Sequence, residues 1–151
     1  MGKIAGIQVP GESTFAYDTA SVMLQSIGVR RPICLLNCAS SDKENFATLG
    51  KLILVLDGVI YNPEDFRAKY QRHTDSDLIL MSIWKIGLQA TLEKINGDFA
   101  LALIDQQSGS LTLARDRFGI RPLYYSSKGT NLGFSSSIRS LLNLSFVSKD
   151  I

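Results

Sequence analysis

Two cysteines and one histidine are the side chains of this sequence most able to act as nucleophile, base or metal ligand. Cys34 and Cys38 lie four residues apart in an apolar stretch, with no further Cys or His at metal-ligand spacing. This pattern is typical of buried thiols. His73 lies in a polar segment, which favours an exposed side chain over a catalytic base. These residues therefore predict no metal site and no catalytic pair.

The elements that must position any site follow from the apolar periodicity, which predicts strands first, then helices, then strands again. The predicted strands cover residues 4–9, 31–36, 52–56, 99–104, 111–114, 122–126 and 131–134. The predicted helices cover residues 18–27, 63–70, 75–86 and 137–142. This order suits antiparallel sheets covered by helices, an α+β class.

The sequence predicts that two central segments are buried. The run Leu52–Leu56 is continuously apolar and predicts a strand buried on both faces, ended by Asp57-Gly58. The helix that begins at Thr74 or Asp75 and runs to Gly87 is apolar nearly all round, which predicts a sandwiched helix with Trp84 in the core.

Length and charge restrict the kind of protein that this chain can be and the partners that it can bind. A chain of 151 residues with 45% hydrophobic residues suits one compact domain. A net charge of +2, from 16 basic and 14 acidic residues spread along the chain, argues against nucleic acid as a partner. No apolar window is long enough for a spanning helix or a signal peptide, so we expect a cytoplasmic protein without a membrane partner.

The second half of the chain contains three specific segments, at residues 96–105, 113–125 and 134–142, with the motifs Asn-Gly-Asp-Phe-Ala, Arg-Asp-Arg-Phe-Gly-Ile-Arg-Pro and Phe-Ser-Ser-Ser-Ile. These motifs resemble those of one family, the asparagine synthetases and their class II glutamine amidotransferase relatives. Residues 96–105, Asn-Gly-Asp-Phe-Ala-Leu-Ala-Leu-Ile-Asp, are similar to the family's Asn-Gly-(Asp/Met)-Phe-Ala-Phe-Ala-x-x-Asp strand. Residues 113–125, Leu-Ala-Arg-Asp-Arg-Phe-Gly-Ile-Arg-Pro-Leu-Tyr-Tyr, reproduce the next family segment almost letter for letter. Residues 134–142 resemble its closing Phe-Ala-Ser-Glu-Ile-Lys-Ala-Leu-Leu segment.

The resemblance implies an N-terminal-nucleophile hydrolase fold, a four-layer αββα sandwich with two antiparallel sheets between helical layers. It places the amidotransferase-like domain at residues 1–144 and the start of a linker or tail at 145–151. The family's Ser-Gly-Gly-x-Asp-Ser pyrophosphate loop is absent from this chain. ATP and Mg²⁺ are therefore expected only in a partner synthetase domain, C-terminal or separate, and a peptide or small molecule is a further candidate partner.

The family's chemistry would begin at an N-terminal cysteine, whose thiolate attacks the glutamine carboxamide. The family start is Met-Cys-Gly-Ile-Ala-Gly-Ile, whereas this chain reads Met1-Gly2-Lys3-Ile4-Ala5-Gly6-Ile7. Gly2 occupies the nucleophile position and has no nucleophilic side chain. The resemblance therefore implies that this chain has no catalytic residue of the family type.

The implied glutamine pocket is also changed. The family's Leu-Asn-Gly-Glu-Ile-Tyr-Asn appears as residues 56–62, Leu-Asp-Gly-Val-Ile-Tyr-Asn. The family's asparagine amide and glycine N–H form an oxyanion hole, so Asp57 beside Gly58 offers an acceptor where a donor is required. Val59 replaces a glutamate that helps bind the substrate's amino group. Asp77 matches the aspartate that binds the same group, although a first-turn helix acid is the simpler interpretation.

The segment between Gln8 and Lys51 is shorter than its family counterpart and lacks the arginine-bearing stretch that binds the substrate carboxylate. The first hypothesis is a non-hydrolysing domain that supports or recognises an ATP-dependent, amide-forming synthetase, similar in its losses to β-lactam synthetases and lasso-peptide cyclases. The second is an active glutaminase that supplies ammonia for asparagine synthesis, with Cys34, Cys38 or Ser13 as the nucleophile. A third, that Gly2 is an engineered replacement in an active enzyme, conflicts with Asp57 and Val59.

Overall fold

The computed structural model describes residues 3–8, 13–26, 28–30, 33–35, 38–66 and 74–148, with the backbone alone for 13–18 and 33–35. The strands are β1 Ile4–Gln8, β2 Ile33–Leu35, β3 Cys38–Ser40, β4 Phe46–Leu49, β5 Leu52–Ile60, β6 Gly97–Asp105, β7 Ser110–Arg115, β8 Tyr124–Lys128 and β9 Asn131–Ser135. The helices are α1 Ser13–Gln25, α2 Asp75–Ile86, α3 Leu88–Lys94 and α4 Ile138–Leu141, with 3-10 turns at Lys43–Asn45 and Pro63–Asp65.

These elements belong to two compact units, which we call the terminal unit (described residues of 1–43 and 122–151) and the central unit (Glu44–Arg121). The terminal unit contains a five-stranded antiparallel sheet in the order β2-β3-β1-β9-β8. Its core joins small and apolar residues of β1 and β3 to α1 and α4: Ala5, Ile7, Ala20, Met23, Leu24, Ala39, Leu141 and Leu144. The Ser140 hydroxyl donates to the Met23 carbonyl oxygen at 2.9 Å and joins α4 to α1.

The central unit contains a four-stranded antiparallel sheet in the order β4-β5-β6-β7. Strands β5 and β6 pair along their whole length, from Leu52 opposite Asp105 to Ile60 opposite Gly97. Alternate residues of β5 face α2, because side chains of a strand point to opposite faces in turn. The core on this face includes Leu54, Leu56, Ile60, Ile79, Leu80, Ile83, Phe99 and Leu101. The predicted α+β class with antiparallel sheets and helices is therefore confirmed.

Strand β5 confirms one prediction and corrects another. Residues 53–57 are all buried, as expected of a strand covered on both faces. Asp57-Gly58 does not end the strand, because pairing with β6 continues to Ile60. Gly58 allows this continuation, since a Cβ at this position would lie 2.1 Å from the backbone oxygen of Asp98.

The prediction that α2 is buried on all sides is wrong. Trp84 is 68% exposed and Ile86 is 43% exposed. The helix packs on the sheet through Ile79, Leu80 and Ile83, a stripe at helical spacing, and this stripe leaves the face of Trp84 uncovered. Trp84 is therefore a surface residue.

Several element boundaries also differ from expectation. Helix α1 begins at Ser13, five residues before the predicted start. At 63–70, the described residues form a short 3-10 turn over Pro63–Asp65, and residues 67–70 lie outside the described part. Gly87, with φ of 85°, separates α2 from the unpredicted helix α3. Strands β3 and β4 were not predicted, because three or four residues carry too little periodicity.

No helix in the described part of the chain is both long and apolar enough to cross a membrane.

Candidate functional site

Asp57 lies in β5 with its carboxylate buried at 1% exposure, on the face opposite the α2 core. One Asp57 oxygen lies 3.8 Å from a guanidinium nitrogen of Arg121, whose side chain is 17% exposed. A buried carboxylate requires a charged or hydrogen-bonding partner, because burial removes the water that would otherwise solvate it. Asp57 is thus one half of a largely buried ion pair. Arg121 was not predicted as a site residue.

Gly58 and Val59 lie on opposite faces of the same strand. Gly58 lines a cavity of about 290 Å³ together with Thr74, Asp75 and Ser76 at the start of α2. The Asp75 carboxylate accepts the Ile60 N–H at 3.0 Å and so joins α2 to β5. Val59 is 44% exposed. The four predicted pocket positions are therefore divided between two faces of β5 and the start of α2.

Asp77 is part of a capping box at the N-terminus of α2. Its carboxylate accepts the Thr74 backbone N–H at 3.2 Å and the Thr74 hydroxyl at 2.9 Å. In return, the Thr74 hydroxyl oxygen accepts the Asp77 backbone N–H at 3.2 Å. This reciprocal arrangement satisfies backbone donors that the helix leaves unpaired. The geometry agrees with a first-turn structural acid.

Tyr61 and Asn62, which complete the Leu56–Asn62 segment, make structural contacts to the start of β6. The Tyr61 hydroxyl donates to the Asp98 carboxylate, and this hydrogen bond raises the pKa of Tyr61 above its ordinary value of 10.0. The Asn62 amide donates to the Lys94 carbonyl oxygen at 3.0 Å and accepts the Asn96 N–H at 2.9 Å. This motif therefore aligns β5 with α3 and β6.

The loop from Asp116 to Arg121, which we call the 116–121 loop, is organised around one carboxylate. Asp116 is 6% exposed and accepts the N–H groups of Phe118, Ile120 and Arg121 at 3.0, 2.9 and 3.0 Å. Burial alone would raise the pKa of Asp116, but these backbone donors outweigh it and lower the pKa below the ordinary 3.8. The Arg115 guanidinium also binds the backbone of this loop, by donating to the carbonyl oxygens of Gly119 and Arg121.

Of the three candidate nucleophiles, only Cys38 has a side chain in the described part of the structure. The Cys38 thiol is buried at 0% exposure, so a substrate in solvent does not reach it. The side chains of Ser13 and Cys34 are outside the described residues, as are Gly2 and His73. The roles of Ser13 and Cys34 as nucleophiles therefore stay predictions.

Arg121, Asp116 and Asp75 organise the site and were missed as site residues. The segment Arg115–Arg121 resembles the family almost letter for letter, so its sequence contains no sign of a changed site. The sequence contained one signal for Arg121. A carboxylate within an apolar strand, such as Asp57, needs a cation nearby, and Arg121 is one of 16 Lys and Arg residues that could supply it.

Comparison with known proteins places this geometry in context. A sequence model of the glutamine amidotransferase domain family matches residues 29–151. Asparagine synthetase [glutamine-hydrolyzing] 3 of Bacillus subtilis is 31% identical over 98 residues, 59% of this chain and 16% of the relative. The asparagine synthetase [glutamine-hydrolyzing] of Gallus gallus is 35% identical over 98 residues, 62% of this chain and 18% of the relative.

The solved structures support the same fold. The glutamine phosphoribosylpyrophosphate amidotransferase of B. subtilis, complexed with ADP and GMP, superimposes with a TM-score of 0.67 at 14% identity. The match covers 93% of this chain and 43% of that one. This likeness confirms the N-terminal-nucleophile hydrolase type of fold. The chain spans between 16 and 20% of the length of the first curated relatives it matches.

The capping box predicts a cost for its removal. Thr74→Ala and Asp77→Ala should each lower the free energy of unfolding by about 1 kcal/mol, because each leaves helix N–H groups unpaired. Urea denaturation followed by circular dichroism measures the change. Thr74→Ser keeps the hydroxyl and is the matched control. An Asp77→Ala variant as stable as the parent would show that this carboxylate is not needed by the helix.

The Asp116 carboxylate predicts a pH dependence. Its pKa is lower in the folded chain than its ordinary value, so its hydrogen bonds stabilise the fold above about pH 4 and are lost as the pH falls through the folded pKa. Asp116→Asn should lower the free energy of unfolding at pH 7 by about 1–3 kcal/mol and weaken its decline as the pH falls below about 4.

Unfolding curves at several pH values, with Asp105→Asn as the matched control, measure this difference. The Asp105 carboxylate also accepts a loop N–H, from Gln107 at 2.8 Å, and this bond lowers its pKa, but Asp105 is less buried than Asp116. We expect a smaller change for Asp105→Asn. Identical pH profiles for the parent and Asp116→Asn would contradict the assignment.

Proposed function

We propose that this chain, which belongs to the glutamine amidotransferase domain family, is a member that does not hydrolyse glutamine. Its role is structural support or recognition of an ATP-dependent, amide-forming synthetase related to asparagine synthetase. The observation that carries the proposal is the buried pair of Asp57 and Arg121, 3.8 Å apart. Gly2 and Val59 add two further losses at positions that the family uses for chemistry.

Asp57 opposes the reaction electrostatically. Amide hydrolysis passes through a tetrahedral intermediate whose oxygen carries negative charge and needs hydrogen-bond donors. Loss of one such donor costs about 10²–10³ in rate in enzymes where it has been removed. A carboxylate costs more than a missing donor, because it accepts hydrogen bonds and repels the developing charge. Arg121 partly neutralises Asp57 but does not turn its oxygens into donors.

Asp77 supports the same conclusion, because its carboxylate is not free to bind the substrate. One of its oxygens already accepts both the N–H and the hydroxyl of Thr74. A glutamine α-amino group would have to share or displace these contacts, at the expense of the helix terminus. With Val59 in place of a glutamate, the second carboxylate for that amino group is also missing. The site therefore offers little binding energy for free glutamine.

The partner in this proposal is a synthetase domain that adenylates a carboxylate and closes an amide with an amine from a source other than glutamine. ATP and Mg²⁺ belong to that partner, because this chain has no pyrophosphate loop. The chain matches 16% of a B. subtilis asparagine synthetase, which leaves most of that relative for other functions. A cytoplasmic setting, where ATP is available, fits the proposal.

An ammonia-release assay with glutamine tests the absence of hydrolysis. The parent chain should release no ammonia above background, and Gly2→Cys should also stay at background, because Asp57, Val59 and the missing arginine still disable the pocket. An active asparagine synthetase from B. subtilis, assayed in parallel, is the positive control. Measurable turnover by Gly2→Cys would show that the pocket is competent and only the thiol is lost.

The alternative, a glutaminase with an unconventional nucleophile, is tested in the same assay. Turnover by the parent chain that disappears on Cys34→Ala, Cys38→Ala or Ser13→Ala would establish it. Cys38 is the weakest of these candidates, since its thiol has no exposed surface.

A further inference from the structure

Two side chains bind the backbone of the 116–121 loop: one is a carboxylate and the other is a guanidinium. The Asp116 carboxylate accepts three of its N–H groups, and the Arg115 guanidinium donates to the carbonyl oxygens of Gly119 and Arg121. Gly119 has φ of 65°, and a Cβ at this position would lie 2.7 Å from the Arg115 guanidinium. A loop with its backbone bonded in this way has little conformational freedom left to lose on binding.

This rigid loop presents apolar side chains to solvent. Phe118 is 88% exposed, and Ile120 is 57% exposed. Tyr61, also 56% exposed, lines an open groove of about 810 Å³ together with Phe118. Aromatic side chains that are presented by a well-ordered backbone and gain burial on binding are typical anchors of protein interfaces.

The charges around the groove indicate the chemistry of its partner. Arg117 and Lys94 are exposed cations on its lining, and the Arg115 guanidinium is already bonded to the loop backbone. Of the two carboxylates on the lining, Asp98 accepts the Tyr61 hydroxyl and Glu93 accepts the Gln89 amide. A complementary surface would therefore have an apolar recess for Phe118, with carboxylates at its rim near Arg117.

We propose that Phe118, held out by the 116–121 loop, docks into an apolar, acid-rimmed recess of the ATP-dependent synthetase partner. The inference rests on the proposed function, since it requires that partner. A synthetase is the occupant that the relatives favour, since the matched segment is only 16 to 20% of a longer polypeptide in them. Arg121 closes the loop and also pairs with Asp57, so the altered oxyanion position stabilises the docking element.

The test is binding of the chain to its cognate synthetase, expressed as a separate polypeptide from the same or the adjacent reading frame, by isothermal titration calorimetry. Phe118→Ala should weaken binding at least about tenfold, while Phe118→Leu should keep part of it. Arg117→Glu should also weaken binding, and more strongly at low salt. Trp84→Ala is the matched control, because Trp84 is an aromatic residue of the central unit at 68% exposure and should not matter.

The outcomes separate the two proposals. If the parent binds the synthetase and Phe118→Ala binds equally well, or Trp84→Ala weakens binding as much, the docking proposal is overturned and the proposed function stands. If the parent does not bind the synthetase, both fail. If sedimentation shows that the chain alone forms a dimer that Phe118→Ala dissociates, a second copy occupies the surface and the docking proposal is overturned. Circular dichroism of each variant checks that it is folded. Substitution of the exposed Phe118 should not change the fold.

Discussion

Neutralisation of a buried carboxylate is the constraint on which the central unit depends. Asp57 is 1% exposed within β5, and its charge has to be balanced inside the protein because water does not reach it. Arg121 supplies the balancing charge from the end of the 116–121 loop. The loop is in turn held by Asp116, whose carboxylate accepts the Arg121 N–H at 3.0 Å. Strand β5 and the loop are thus joined by electrostatics.

Under the proposed function, this arrangement explains how the family scaffold is maintained without glutamine hydrolysis. The segments that resemble the family most closely, Asn96–Asp105 and Leu113–Tyr125, contain the strand partner of β5 and the loop that carries Arg121. Gly58 and Gly97 allow the backbones of β5 and β6 to approach closely, since a Cβ at either position would clash with the opposite strand. Asp57 lies within this closely packed framework, and its ion pair with Arg121 joins strand β5 to the loop.

Sequence reasoning reached the fold class, most strands and the Thr74 cap, because periodicity and capping residues act locally. The prediction for Trp84 was wrong. A helix that is apolar on all sides predicts burial, but the tertiary structure decides how many of its faces are covered. Sequence reasoning also ended β5 at Asp57-Gly58, a turn-like dipeptide that the β6 ladder overrides. The position of Asp57 was identified as altered, but Arg121 lies 64 positions away in the chain, and only the folded structure brings the two together.

A double-mutant cycle between Asp57 and Arg121 tests this account most directly. The free energies of unfolding of the parent, Asp57→Asn, Arg121→Met and the double variant would be measured by urea denaturation at pH 7. If the pair is the interaction that stabilises the central unit, each single variant loses stability, and the coupling energy is at least about 1 kcal/mol in favour of the pair. Additivity of the two single effects to within about 0.3 kcal/mol would contradict it.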